Sequence, residues 1–158
     1  MAIPLLDSLD LKNTDITADA LLTQRKLADY LVDQRKAHFH FIVKANQASL
    51  LDDLVLLFND RKHPDFQRLD PPHHGRIETR QIWTSTQLGG YLDFPHVAQV
   101  FLIERIVVNK KTGKSSRDLA YGITSCVFRA KSAPNPLANR HSFRLKSALI
   151  PKQIGTPV

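Results

Sequence analysis

Between residues 15 and 58 the hydrophobic period of the chain switches three times, and that alternation limits its possible folds more than any other feature. Asp15-Ile16-Thr17-Ala18-Asp19 reads as a short strand running into a turn. Leu27, Tyr30 and Leu31 then share one face of a helix predicted over about residues 24–36, with Thr23 as its cap. His38 to Lys44 returns to period two, with Phe39, Phe41 and Val43 on one side and His38, His40 and Ile42 on the other. Asn46 is placed to cap a second helix, whose Leu51, Leu54, Val55 and Phe58 form a stripe at 3.6-residue spacing. Strand, helix, strand, helix predicts an α/β fold with a right-handed crossover and a mainly parallel sheet.

Downstream the pattern changes. Residues 59–74 hold Pro64, Pro71, Pro72, His63, His73 and His74, which predicts a loop. From Gly75 the signals favour β structure: Arg76 to Thr86 alternates, and Val97 to Val108 and Asp118 to Ala130 are β-rich. Residues 109–114 read as the hairpin tip between the last two runs, with Gly113 supplying a positive φ. The expected organisation is an α/β core over 1–62, a β-rich segment over 63–131 and a basic tail over 132–158. That tail carries Pro134, Pro136, Pro151 and Pro157 and is expected to be the least ordered part.

Charge separates along the same axis. Residues 1–104 hold 11 Lys and Arg against 14 Asp and Glu, a net of −3. Residues 105–158 hold 11 against Asp118 alone, a net of +10. A basic third joined to a mildly acidic remainder points to a polyanion such as DNA, or else to a solvated basic surface. Other classes drop out. The longest apolar-dominated run, Ser49 to Phe58, is interrupted by Asp52 and Asp53, so no membrane span is expected. No signal peptide is visible, and one cysteine, Cys126, makes no internal disulfide, which fits a reducing cytoplasm. No nucleophile elbow or phosphate-binding glycine loop occurs.

Four phrases are more specific: Asp15 through Gln24 (Asp-Ile-Thr-Ala-Asp-Ala-Leu-Leu-Thr-Gln), Val43-Lys44-Ala45-Asn46-Gln47, His74-Gly75-Arg76-Ile77-Glu78-Thr79-Arg80, and Tyr121-Gly122-Ile123-Thr124-Ser125. In that order and spacing the chain resembles ISAs-type insertion-sequence transposases, the group that includes H-repeat-associated proteins. The resemblance runs from about Ile3 to Arg140. It implies a partial RNase H-like sheet with flanking helices and a β-rich insertion, a triad of two aspartates and a glutamate holding two Mg²⁺ or Mn²⁺ ions, and transposon-end DNA as partner. Two such hard cations can activate water and stabilise a leaving phosphodiester oxygen together. By the resemblance Asp19 is the second catalytic aspartate and a metal ligand; by residue type alone it is a turn or cap residue at a strand's carboxyl edge.

The DNA-contacting candidates each have a second reading. Lys44 reaches a phosphate or is a surface charge. Arg76 and Arg80, on one strand face with Glu78, touch the DNA backbone or form a cross-strand ion-pair ladder. Lys110 and Lys111, with Lys114, extend along DNA or cap a solvated hairpin. Arg140 belongs to the surviving approach to the late helix. His38 and His40 share a strand face as a possible zinc pair without an evident third ligand, Trp83 and Phe101 read as packing residues, and Cys126 as an inert buried thiol.

The chain also departs from the resembled pattern. The first aspartate of the triad would precede Ile3, and no glutamate follows Glu104. Where a phrase Arg-x-His-Trp-x-Ile-Glu-Asn is expected, Asn139-Arg140-His141 is followed by Ser142-Phe143-Arg144-Leu145-Lys146. The codons TTT CGA TTG AAA would encode Phe143 to Lys146 and, one register over, Ser-Ile-Glu, so the tail reads as a frameshift product; other codons in the gene would rule that out. The expectation is an inactive fragment, or a DNA-binding regulator without catalysis, working in the cytoplasm or at the nucleoid. Its unpaired sheet edge would favour self-association.

Overall fold

The computed structural model describes residues 2–73 and 75–128. A short helix α1 (Ala2–Leu6) leads to β1 (Asp15–Ala18), a 3₁₀ turn (Ala20–Leu22) and α2 (Arg25–Asp29), which continues as a π-helical stretch (Tyr30–Gln34). Then come β2 (His38–Val43), a second 3₁₀ turn (Ala45–Gln47) and α3 (Ala48–Asn59). Four longer strands complete the order: β3 (Phe66–His73), β4 (Arg76–Ser85), β5 (Gln99–Asn109) and β6 (Ser115–Thr124). All six form one sheet in the order β1-β2-β6-β5-β4-β3. Among the described residues, no helix is long and apolar enough to cross a membrane.

The α/β class holds, but the sheet is mixed rather than mainly parallel. β1 and β2 pair parallel, with Asp15 opposite His38 and Ala18 opposite Phe41. Every other pairing is antiparallel. The reason lies far down the chain: β6 returns to take the free edge of β2, with His40 opposite Thr124 and Val43 opposite Tyr121. One sheet therefore takes in strands of both the first and the second expected segments.

The helices cover one face. Phe39, Phe41 and Val43 point into it with Ile123, Val100, Leu102 and Trp83 from the neighbouring strands, and all are buried. The Phe39 and Phe41 rings stack 4.4 Å apart, and Phe94 meets Phe39 edge-on. From the helices come Leu27, Leu31, Leu50, Leu54 and Phe58. The second-helix stripe is thus rotated from its expected setting: Leu50 is buried, while Val55 is 41% exposed.

Three local expectations are corrected. Residues 59–74 are not one loop, because β3 pairs antiparallel with β4 from Phe66 to His73. Pro71 and Pro72 are tolerated there because β3 is an edge strand and its register shifts between Asp70 and His73. Thr23 does not cap α2: its fully buried hydroxyl donates to the Ile42 carbonyl at 2.6 Å. Asn46 does not cap α3 either; its side-chain amide donates to the Ala20 carbonyl at 2.8 Å. Both long-range bonds fasten the turn after β1 to the end of β2. The hairpin tip is as expected, with Gly113 at φ 67° between β5 and β6.

Candidate functional site

β1 and β2 run parallel and end side by side, which brings Asp19 and Lys44 together at their carboxyl edge. Lys44 Nζ lies 3.1 Å from Asp19 Oδ1. The same oxygen accepts the Ala20 N–H at 2.7 Å, so Asp19 caps the 3₁₀ turn that follows it. The Ala20 amide first, and Lys44 second, hold the Asp19 carboxyl below the usual carboxylate range. Asp19 is thus ionised at neutral pH and largely open to solvent.

This arrangement bears on the divalent ions that the resemblance implies. Two hard cations need several carboxylate oxygens at close range. Asp19 belongs to no cluster of three or more potential ligands among the described residues, and an ammonium already neutralises its bound oxygen. The described residues therefore do not fit a two-metal centre by themselves.

The long strands carry the other candidates. Arg76, Glu78 and Arg80 lie on the sheet face turned away from the helices, the face that also carries Ile42, Phe101 and Ile103. Arg105 pairs with Glu78 through two bonds of 2.8 and 2.9 Å, and Arg80 reaches Glu78 at 2.6 Å and Asp70 at 3.7 Å. Arg68 adds a contact to Asp70 at 2.6 Å. Arg80 is thus a member of a cross-strand ladder. The Arg105 bond is the largest cause holding the Glu78 carboxyl below its usual range.

Arg76 sits differently. It is opposite Asn109 at the far end of β4, beside the β5–β6 hairpin. The Lys110 amide donates to the Gly75 carbonyl at 2.8 Å, tying the β3–β4 turn to the β5–β6 tip. Arg76, Lys110, Lys111 and Lys114 are all exposed there, and none is ion-paired to a described residue. The direction of this arm follows from register. Val43, at the carboxyl end of β2, lies opposite Tyr121, and β6 starts six residues earlier at Ser115. At about 3.3 Å per residue the arm projects roughly 20 Å past the edge that holds Asp19 and Lys44. Arg140 and the tail lie outside the described residues.

A groove of about 460 Å³ opens on the uncovered sheet face, lined by Thr17, Asp19, His40, Ile42, Phe101 and Phe128 among others. The sequence gives no warning of it, because its walls come from five separated segments. Trp83 and Phe101 are buried packing residues, as their setting in β runs suggested. Cys126 is only half-buried and lies just past β6 rather than within a strand.

No protein-family model matches the chain, and no solved structure matches it. It is similar to a protein of Xanthobacter autotrophicus described as "Uncharacterized protein in dhlA 3'region", with 30% identity over 110 residues. That match takes in 65% of this chain but 37% of the relative, so the chain spans little more than a third of the relative's length.

Proposed function

We propose that the chain is a portion of an insertion-sequence transposase of the RNase H-like class, binding DNA and lacking strand cleavage of its own. The observation that carries this reading is the shared direction of the arm and the carboxyl edge. Asp19 and Lys44 lie at that edge, and the hairpin with Arg76, Lys110, Lys111 and Lys114 projects beyond it on the same side. A line of unpaired cations at this scale suits a phosphate backbone, which supplies affinity without base recognition. The open edge of β1 supports the fragment reading, since an additional strand of the same sheet would pair there. Cleavage with Mg²⁺ or Mn²⁺ would need carboxylates that do not stand beside Asp19. Such a protein would work at the nucleoid.

The test is binding to terminal inverted-repeat DNA and to random DNA over a series of salt concentrations, with a nicking assay in Mg²⁺ and in Mn²⁺. Four phosphate contacts give a slope of about −3 to −4 in log K against log salt. Tighter binding to inverted repeats, without nicking, is the expected result. Salt-insensitive binding, or none, would remove the DNA reading; metal-dependent nicking by this chain would remove the claim that it is inactive. Equal binding to both DNAs favours a second reading, a regulator that coats DNA through the arm alone.

A further inference from the structure

We propose that Asp15, His40 and Cys126 form a binding site for one zinc ion, at the opposite end of β1 from Asp19. The site does not depend on the transposase reading. Asp15 opens β1 and Asp19 follows its last residue, so the two carboxylates are roughly 13 Å apart along an extended chain.

Strand parity and the bend after β6 bring the three side chains together. In β2, His40 points away from the helices, and Asp15 of β1 shares that face. Thr124 lies opposite His40, and Cys126, in the bend just past β6, folds back on it: the Cys126 amide donates to the Thr124 hydroxyl at 3.2 Å, and Sγ lies 3.4 Å from the same oxygen. Ser125 holds this segment against β2: its amide donates to the Phe39 carbonyl at 3.2 Å, and the Phe39 amide donates to its hydroxyl at 3.0 Å. One ligand atom from each of Asp15, His40 and Cys126 lies within 4.8 Å of the other two. Ligands of a tetrahedral zinc with bonds of about 2.0–2.3 Å stand roughly 3.3–3.8 Å apart. Asp15 Oδ1 and His40 Nε2 are already 3.4 Å apart. Both distances from Cys126 Sγ fall within 4.8 Å, so zinc spacing needs a shift of roughly 1 Å by the half-buried thiol.

The histidine is set to serve as a ligand. Its side chain is only 14% exposed, and the nitrogen that faces Asp15, and would hold the ion, is Nε2. The Phe128 ring stacks on the His40 ring at 5.1 Å and screens it from water.

The donor types select the metal. One sulfur, one imidazole nitrogen and one carboxylate oxygen suit Zn²⁺ and not Mg²⁺. Cys126 binds as thiolate and releases its proton to solvent, so affinity rises with pH. Three protein ligands leave a fourth position for water. The ion would join the edge strand β1 to β2 and to the segment after β6, stapling one edge of the sheet.

The full chain is loaded with Co²⁺ as a zinc substitute, and its near-ultraviolet spectrum is read for sulfur-to-cobalt charge transfer. Cys126 alkylation is timed with and without Zn²⁺. The expected result is one equivalent of metal, a charge-transfer band in the wild type, and alkylation slowed by about tenfold or more, since a bound thiolate is a poor nucleophile. The band should vanish in Cys126→Ser and persist in His96→Ala. That second variant breaks the other cluster on the surface, where His96 Nε2 lies 3.2 Å from both Asp29 and Asp33. Metal retained in Cys126→Ser but lost in His96→Ala overturns the proposal, and so does an unchanged alkylation rate. If Cys126→Ser fails to fold, the wild-type alkylation rate still decides.

Discussion

Gly122 gives the sharpest test of the β5–β6 register. It lies in β6 between Phe101 and Ile42, on the face away from the helices. A Cβ built there falls 2.7 Å from Phe101 Cε1, 2.5 Å from Cε2 and closer still to Cζ. The backbone itself does not demand glycine, so two opposing effects decide what Gly122→Ala does. Removing glycine from a strand interior stabilises by about 0.5–1 kcal/mol through the unfolded chain. Forcing the buried Phe101 ring off its seat costs about 1–3 kcal/mol. The clash wins, and the melting temperature should fall by about 2–8 °C for a chain of this size. In a Phe101→Ala background the clash is gone and the sign should reverse, with Gly122→Ala now stabilising by about 0.5–1 kcal/mol. Urea unfolding followed by the fluorescence of Trp83, the single tryptophan, reads both cycles. A change of the same sign in both backgrounds would refute the packing of Phe101 over Gly122, and with it the register.

Thr23→Val keeps the shape but leaves the Ile42 carbonyl without the buried hydroxyl at 2.6 Å, and should cost about 1–3 kcal/mol by the same unfolding assay. Lys110→Glu with Lys111→Glu should weaken DNA binding and reduce the salt slope by about one for each lost phosphate contact, leaving stability within about 0.5 kcal/mol. Glu78, Asp93 and Asp19 have folded pKa values lowered chiefly by Arg105, Arg25 and the Ala20 amide respectively. Their stabilisation is therefore fully present at neutral pH, and it is lost as pH falls below about 4 and through the folded values. Glu78→Gln should flatten that acid limb in an unfolding series between about pH 5 and pH 2, and an unchanged limb would show that the ladder adds nothing.

The sequence was most legible where a signal is local. His38 to Val43 alternates so cleanly that its two sides could be told apart residue by residue, and Gly113 marked its hairpin. Thr23 and Asn46 were misread because polar residues before apolar runs look like caps, whereas their partners lie 19 and 26 residues away. β3 was missed because prolines argue against a strand unless the strand is known to lie at an edge, and edge position belongs to the whole sheet. The parallel sheet was overextended for a similar reason: nothing near His38 reveals that β6 will pair with β2. In the candidate site, Asp19 and Lys44 were both singled out, but the bond between them depends on β1 and β2 ending in register.

The same reasoning separates the two ends of the sheet. At the carboxyl edge of β1 and β2, the charged groups are exposed, as Asp19 and Lys44 are, and Asp19 also accepts the neighbouring Ala20 amide. Exposed pairs of this kind contribute little to stability, so the fold does not require them, and they are free to exchange partners with a phosphate. At the other end, Asp15, His40 and Cys126 come from the first strand, the second strand and the bend after the last, and the His40 ring is mostly buried with Nε2 turned to Asp15. Donors brought together from such distant parts of the chain can share one ion only in the folded protein, so binding it would add to stability. The carboxyl edge with its projecting arm therefore suits binding to an external polyanion, and the opposite end suits a small ligand held as part of the fold.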